Sequence, residues 1–217
     1  MLSDLQKHLS DIYRVEPGYD VRDFLVTDPH LARMLGGESL IPNTDESVLL
    51  AQDNEGVALS VYLDRRMLGR LDRDNPMQAL KASLLNDLWT VLEGVSHFNY
   101  LVWSAARDRA VTLLELEMQA EVDKFIGTWL MAQDQDACDF ADRLHGWLFD
   151  SVRFKAELSD DEHERYRTAN DYAARFCHGL VQRLRDDYQN TLHELRRFYR
   201  LTQGGKISHI HAQAYGQ

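Results

Sequence analysis

Residues 75–105 read NPMQALKASLLNDLWTVLEGVSHFNYLVWSA, and this stretch decides the fold. Asn75 is a suitable helix cap, and Pro76 is suited to the first helical turn. Further apolar side chains, among them Trp89 and Trp103, cover much of the circumference, and a helix that is apolar nearly all round is buried. The stretch therefore predicts the central helix of the fold. Its apolar stripe follows steps of three and four residues: Met77, Leu80, Leu84, Leu88, Val91, Val95, Phe98, Val102 and Ala105.

The next segment, residues 112–131, reads TLLELEMQAEVDKFIGTWLM and fits two structures. Apolar and polar residues alternate over 114–123, which is the pattern of a half-buried strand. Leu, Glu, Met, Gln and Ala, however, are strong helix formers and poor edge-strand residues. Thr112 and Glu115 also have the spacing of a capping box. We therefore predict a helix from Thr112 to about Met131.

Two more long helices are predicted farther along the chain, over residues 135–157 and 159–199. Ser159 and Glu162 form a second capping-box pattern. No proline follows Pro76, so no proline interrupts these helices. Four consecutive long helices with short connections predict an antiparallel bundle.

The segment before the bundle combines short helices with strand-like sequence. Residues 46–52 and 57–64 are strand-like and flank an Asn/Gly turn, which predicts a β-hairpin packed on the helices. Gly204 and Gly205 indicate a flexible tail, in which residues 206–211 are a candidate third strand. The prediction is a mainly α protein with three parts: an N-terminal segment over 1–74, the bundle over 75–203 and the tail over 204–217.

Composition and charge exclude several classes of function. The formal net charge is −11, which disfavours nucleic-acid binding and anionic membrane surfaces. No apolar run reaches the roughly 18 residues of a membrane span, and the N-terminus carries charge where a secretory signal is apolar. Cys138 and Cys177 are too few and too far apart for a disulfide framework. We expect a cytoplasmic protein that binds neither nucleic acid nor membrane.

Common catalytic signatures are missing from the chain. The sequence contains no GxxxxGK[ST], GxGxxG, GxSxG, HExxH or CxxC pattern. These patterns mark common nucleotide-binding, hydrolase, zinc-protease and redox sites. The sequence therefore predicts no particular reaction, substrate or small-molecule ligand.

One set of ionisable residues on the predicted bundle helices is a candidate site. Glu93 and His97 are four residues apart on one predicted helix, and Glu117 and Glu121 are four apart on the next. Residues four apart share a helix face. In an antiparallel bundle His97 lies level with the neighbourhood of Glu121, and His145 lies level with Asp123. Glu and His from facing helices can bind iron, manganese or zinc. The predicted metal ligands are Glu93, His97, Glu117, Glu121, Asp142 and His145.

The sequence leaves two classes of function open. The first is a non-enzymatic bundle that acts through protein–protein contacts and self-associates, because its central helix is unusually apolar and it has four tryptophans. The second is a metal-dependent or acid–base enzyme, or a ligand-binding protein, that uses the Glu/His set with a divalent transition metal. The alternative to a functional site is that the same side chains hydrogen-bond to one another as ordinary buried polar groups.

Overall fold

The structure is a computed structural model that describes residues 1–37, 44–52, 57–151 and 158–214. The fold is mainly helical, with a small mixed sheet of strands β1 (Leu25–Val26), β2 (Glu46–Gln52) and β3 (Val57–Leu63). Short 3-10 turns occupy Val21–Phe24 and Ala82–Leu84. The α-helices are α1 (Leu2–Tyr13), α2 (Pro29–Gly36), α3 (Arg65–Arg73), α4 (Leu85–Ala105), α5 (Leu113–Asp134), α6 (Cys138–His145), α7 (Asp160–His178), α8 (Leu180–Asp186), α9 (Tyr188–Tyr199) and α10 (Gln203–Ala214).

The two helices that matter most for the site are α4 and α5. Helix α4 is largely buried, but it begins at Leu85 rather than near Pro76, after the 3-10 turn. Helix α5 resolves the ambiguity of residues 112–131 in favour of a helix. The Thr112 hydroxyl accepts a hydrogen bond from the Glu115 backbone N–H at 3.1 Å, so the predicted cap starts α5.

The sheet is mixed and is not an isolated hairpin. Strand β3 pairs antiparallel with β2 and parallel with β1, so the third strand comes from the N-terminal segment and not from the tail. The sheet packs closely on α4 at Gly94. A Cβ at Gly94 would lie 3.1 Å from Leu63 Cδ2 and 3.2 Å from both Val61 Cγ1 and Glu46 Cγ. Glycine therefore lets Glu46 approach α4.

The later helices are shorter than predicted. Helix α5 ends at Asp134, and Asp136 has a left-handed backbone (φ 54), which turns the chain into the eight-residue α6; a π-helix over Gly146–Asp150 continues it. The segment predicted as one helix over 159–199 is divided into α7, α8 and α9, with breaks at Gly179 and Asp187. Four uninterrupted long helices are therefore not observed among the described residues. Residues 152–157 of the third predicted helix lie outside them.

The predicted flexible tail is a helix over most of its length. Helix α10 begins at Gln203, and it carries Lys206, which is fully buried. The Lys206 ammonium donates to the Phe198 carbonyl at 3.0 Å and to the Gln119 side-chain oxygen. These contacts join α10 to α9 and α5. The prediction of a strand over 206–211 is wrong, because these residues are helical. Residues 215–217 lie outside the described part.

A buried polar network continues from Gln119 to the N-terminal helix. The Gln119 amide donates to Asp123 Oδ1 at 2.6 Å, the Tyr13 hydroxyl donates to the same oxygen at 2.5 Å, and the Ser96 hydroxyl donates to Asp123 Oδ2 at 2.6 Å. Burial raises the pKa of Asp123 to about 6 and lowers the pKa of Lys206 to about 7. The network links α1, α4, α5 and α10 through side chains remote in sequence.

A large hydrophobic core is shared by most of these elements. It runs from α1 through α4 and α5 to α9 and α10, and Cys177 is one of its buried members, with a free thiol. The side chain of Cys138 lies outside the described part. Within the described residues, no helix combines the length and the apolar character that a bilayer crossing requires.

Candidate metal centre between α4, α5 and β2

A cluster of ionisable side chains lies where α4, α5 and β2 meet. Glu93 and His97 are four residues apart on α4, and Glu117 and Glu121 are four apart on α5. Each pair therefore projects from one face of its helix. The two helices pack against each other and α4 also contacts the sheet, so β2 brings a further glutamate, Glu46, to the same place.

The His97 ring is held between two carboxylates. Its Nδ1 lies 3.3 Å from Glu46 Oε1, and its Nε2 lies 3.5 Å from Glu117 Oε2. The side chain is only 6% exposed, and Nε2 makes no hydrogen bond to any described residue. Burial lowers the pKa of His97, but the two carboxylates outweigh burial and hold that pKa well above its ordinary value.

Three of these residues are spaced for a shared metal ion. Glu93, His97 and Glu117 each offer one ligand atom, and these atoms all lie within 4.8 Å of one another. Ligands on opposite sides of an ion are about 4.2 Å apart when metal–ligand bonds are about 2.1 Å long. The side chains therefore need only a small movement to close around one ion.

Lys124 provides a cation inside the cluster. Its Nζ lies 3.1 Å from Glu93 Oε2 and 2.6 Å from Glu121 Oε1, and its side chain is 9% exposed. Burial lowers the pKa of Lys124, but the charges of Glu121 and Glu93 outweigh burial and raise it above the ordinary value. Lys124 is therefore a charged ammonium bridging two carboxylates.

Among the described residues, negative charge exceeds positive charge in this cluster. Four glutamates face Lys124 and one histidine, so the net formal charge is −2 even when His97 is protonated. Burial raises the pKa of Glu46 and of Glu121, and one buried oxygen of Glu121 has no hydrogen-bond partner among the described residues. Tyr166 of α7 is also affected: burial and the charges of nearby glutamates raise the pKa of its phenol.

No family model matches the chain, and comparisons with curated proteins and with solved structures found no significant match. No ligand or activity therefore reaches this cluster through a relative. Its chemistry follows from the side chains themselves: imidazole and carboxylate groups, mostly buried, with more acid than base. Such a donor set suits Mn²⁺, Fe²⁺ or Zn²⁺.

The structure brings together four of the six predicted ligands. Glu93, His97 and Glu117 form the set that can share an ion, and Glu121 is joined to Glu93 through Lys124. The other two predicted ligands have different contacts within the described residues, and neither belongs to the potential metal-ligand group.

Asp142 and His145 are engaged elsewhere. Asp142 is exposed and pairs with Arg185 of α8 at 2.7 Å. The His145 ring is hydrogen-bonded through Nε2 to the Ala174 carbonyl at 3.0 Å and packs against Phe149. The His145 ring lies beside α5, with its centroid 6.0 Å from that of Phe125, but α5 packs more extensively on α7 and the cluster lies on its α4 side.

Two residues of the cluster were absent from the sequence prediction. Lys124 had a local signal, because it lies three residues after Glu121 and seven after Glu117, on the same face of α5. Glu46 had no such signal, because it reaches His97 only when β2 packs on α4. The spacing of the helical residues contains no information about that packing.

Proposed function

We propose that this protein binds one divalent transition-metal ion through Glu93, His97 and Glu117. The observation that carries the proposal is the buried Nε2 of His97, which has no hydrogen-bond partner among the described residues and faces the Glu117 carboxylate at 3.5 Å. A contact of 3.5 Å satisfies the buried Nε2 only weakly, and an incompletely satisfied buried polar atom is costly. A metal ion would displace the proton that the raised pKa of His97 leaves on Nε2, take up the freed lone pair and neutralise two carboxylates at once.

The contact on the other side of the ring supports the same proposal. A histidine that binds a metal usually donates its second N–H to a carboxylate, which fixes the tautomer and the ring orientation. His97 Nδ1 lies 3.3 Å from Glu46 Oε1 and can make this donation. Once the metal has displaced the Nε2 proton, the lone pair of Nε2 faces the ion and the remaining ligands.

The same arrangement leaves room for chemistry at the ion. Three protein ligands do not fill the coordination of a transition metal, and metal centres with an open position are typical of catalytic sites. Glu93 is more exposed than the other cluster residues, at 24% of its side chain, so the open position is expected on its side. Water or a small substrate would approach the ion there.

The test is the metal content and metal affinity of protein purified without a histidine tag. We expect about one bound ion per chain by elemental analysis, and saturable Mn²⁺ or Zn²⁺ binding by calorimetry after chelation. Glu117→Gln should weaken binding by more than about 100-fold, beyond the usual cost of an outer-shell change. Asp142→Asn is the matched control and should bind normally, because Asp142 pairs with Arg185.

Two results would reject the metal proposal. The first is wild-type protein that, although folded, binds none of these ions. The second is that Glu117→Gln and Asp142→Asn weaken metal binding equally. Such a result would mean that the metal binds nonspecifically to surface carboxylates.

We also propose that the protein self-associates through α2. This helix exposes three apolar side chains at i, i+3 and i+4: Leu31 at 45%, Met34 at 82% and Leu35 at 49%. The helix contains no acidic residue although the chain carries a net charge of −11, so two α2 helices can meet without bringing like acidic charges together. Light scattering should give twice the chain mass for the wild type and the chain mass for Met34→Asp. A monomeric wild type would contradict this proposal.

A further inference from the structure

We propose that the Lys124 ammonium occupies a second cation position beside the metal, and that Lys124 thereby limits the site to one ion. This inference rests on the proposed metal-binding function and specifies how many ions the cluster holds. It predicts that replacing Lys124 with an uncharged side chain of similar length would let the site bind two metal ions, bridged by a carboxylate.

The geometry of Glu93 is the first argument. Glu93 belongs with His97 and Glu117 to the set that can share an ion, and its Oε2 accepts a hydrogen bond from Lys124 Nζ at 3.1 Å. Glu93 therefore lies between two cation positions. Glu121 lies on the far side of the ammonium, with Oε1 at 2.6 Å from Nζ.

The donor set around Lys124 is the second argument. Two carboxylates converge on its Nζ, and the Oε2 atom of Glu121 is buried without a hydrogen-bond partner in the described part of the chain. Carboxylate oxygens that converge in a buried place are the ligands that Mn²⁺ prefers. The ammonium supplies a positive charge where these oxygens require one.

The charge balance is the third argument. With His97 neutral and one divalent ion bound, the four glutamates, Lys124 and the ion sum to −1 over the part of the chain that the structure describes. Without the ammonium, one ion leaves −2, and a second divalent ion brings the cluster to zero. Burial makes an uncompensated charge expensive, so the variant gains an electrostatic reason to take up the second ion.

The experiment compares Mn²⁺ binding in wild-type protein with that in Lys124→Met, Lys124→Arg and the remote control Lys81→Met. Lys81 pairs with Asp74 on the surface, where its side chain is 49% exposed. We expect one Mn²⁺ per chain in the wild type, Lys124→Arg and Lys81→Met, and two in Lys124→Met. Electron paramagnetic resonance should show isolated Mn²⁺ in the first three proteins. In Lys124→Met it should show an exchange-coupled pair, because one carboxylate bridges the ions.

A second variant tests the same assignment if Lys124→Met does not fold. Glu121 lies at the ammonium position, so Glu121→Gln should keep one Mn²⁺ and weaken its binding by no more than about 100-fold, the range of outer-shell changes. Glu117 belongs to the metal position, so Glu117→Gln should weaken Mn²⁺ binding by more than about 100-fold. Equal losses in the two variants would overturn the separation into two positions.

The results distinguish this inference from the proposed function. A folded Lys124→Met protein that holds one isolated Mn²⁺ overturns the inference and leaves the metal site intact. Absence of both Mn²⁺ and Zn²⁺ from the folded wild type and from folded Lys124→Met overturns both proposals. Two coupled ions in Lys124→Met with none in the wild type would support the role of Lys124 but overturn a native metal site.

Discussion

Replacement of the buried Lys206 by methionine should remove a specific pH dependence of stability. Lys206 is fully buried, and burial lowers its pKa to about 7 from an ordinary value of 10.5. The neutral amine still has two hydrogens for its two acceptors, the Phe198 carbonyl and the Gln119 side-chain oxygen. Methionine has a similar length and does not titrate.

The sign and size follow from proton linkage. Between pH 7 and 10.5 the unfolded chain holds a proton on Lys206 that the folded chain has lost, so this residue makes the free energy of unfolding increase with pH. The pKa difference of about 3.5 corresponds to about 5 kcal/mol over the full window. Between pH 6 and 9 the expected increase is about 2 to 3 kcal/mol.

The assay is urea unfolding at several pH values from 6 to 9, followed by circular dichroism. The free energy of unfolding of wild type minus that of Lys206→Met should increase by about 2 to 3 kcal/mol across this range. Lys7→Met is the control, because Lys7 is 74% exposed and should show no such trend. A difference that stays constant within about 0.5 kcal/mol would refute the assignment of a neutral buried amine.

Two further predictions concern elements that position the site, and a third concerns Asp142, which lies outside it. Gly94→Ala places a Cβ 3.1 Å from Leu63 and should lower the free energy of unfolding by about 1 to 3 kcal/mol in urea titrations; a more stable variant would show that the sheet can retreat. Thr112→Ala removes the cap of α5 and should cost about 1 kcal/mol in the same assay, whereas Thr112→Ser should be nearly neutral. Asp142→Ala breaks an exposed pair with Arg185 and should change stability by less than about 1 kcal/mol, so a larger loss would mean that this pair is more than a surface contact.

The pairs of site residues within each helix could be predicted from sequence. Glu93 and His97 on α4, and Glu117 and Glu121 on α5, share a face because 3.6 residues per turn places positions four apart side by side. The choice of helix for 112–131 depended on helix propensity and on the Thr112 cap, which are also local. These features act over a few residues, so the sequence alone expresses them.

The extent of the later helices could not be predicted in the same way. The apolar pattern continues past Gly179 and Asp187, but the helix is interrupted at both residues, which divides the segment into α7, α8 and α9. Likewise the two glycines at 204 and 205 indicated a tail, whereas packing of Lys206 against α5 and α9 holds α10 in place. Tertiary contacts here outweigh local propensity.

The sequence by itself determined that this protein is mainly helical, that α4 is buried and that four acidic and imidazole side chains lie in pairs on two helices. Only the tertiary structure decided that the pairs face each other, that Glu46 joins them from the sheet across Gly94, and that Asp142 and His145 do not. The physical reason is that periodicity is a local property, which fixes the direction of a side chain on its own helix. The distance between two helices instead depends on every side chain packed between them.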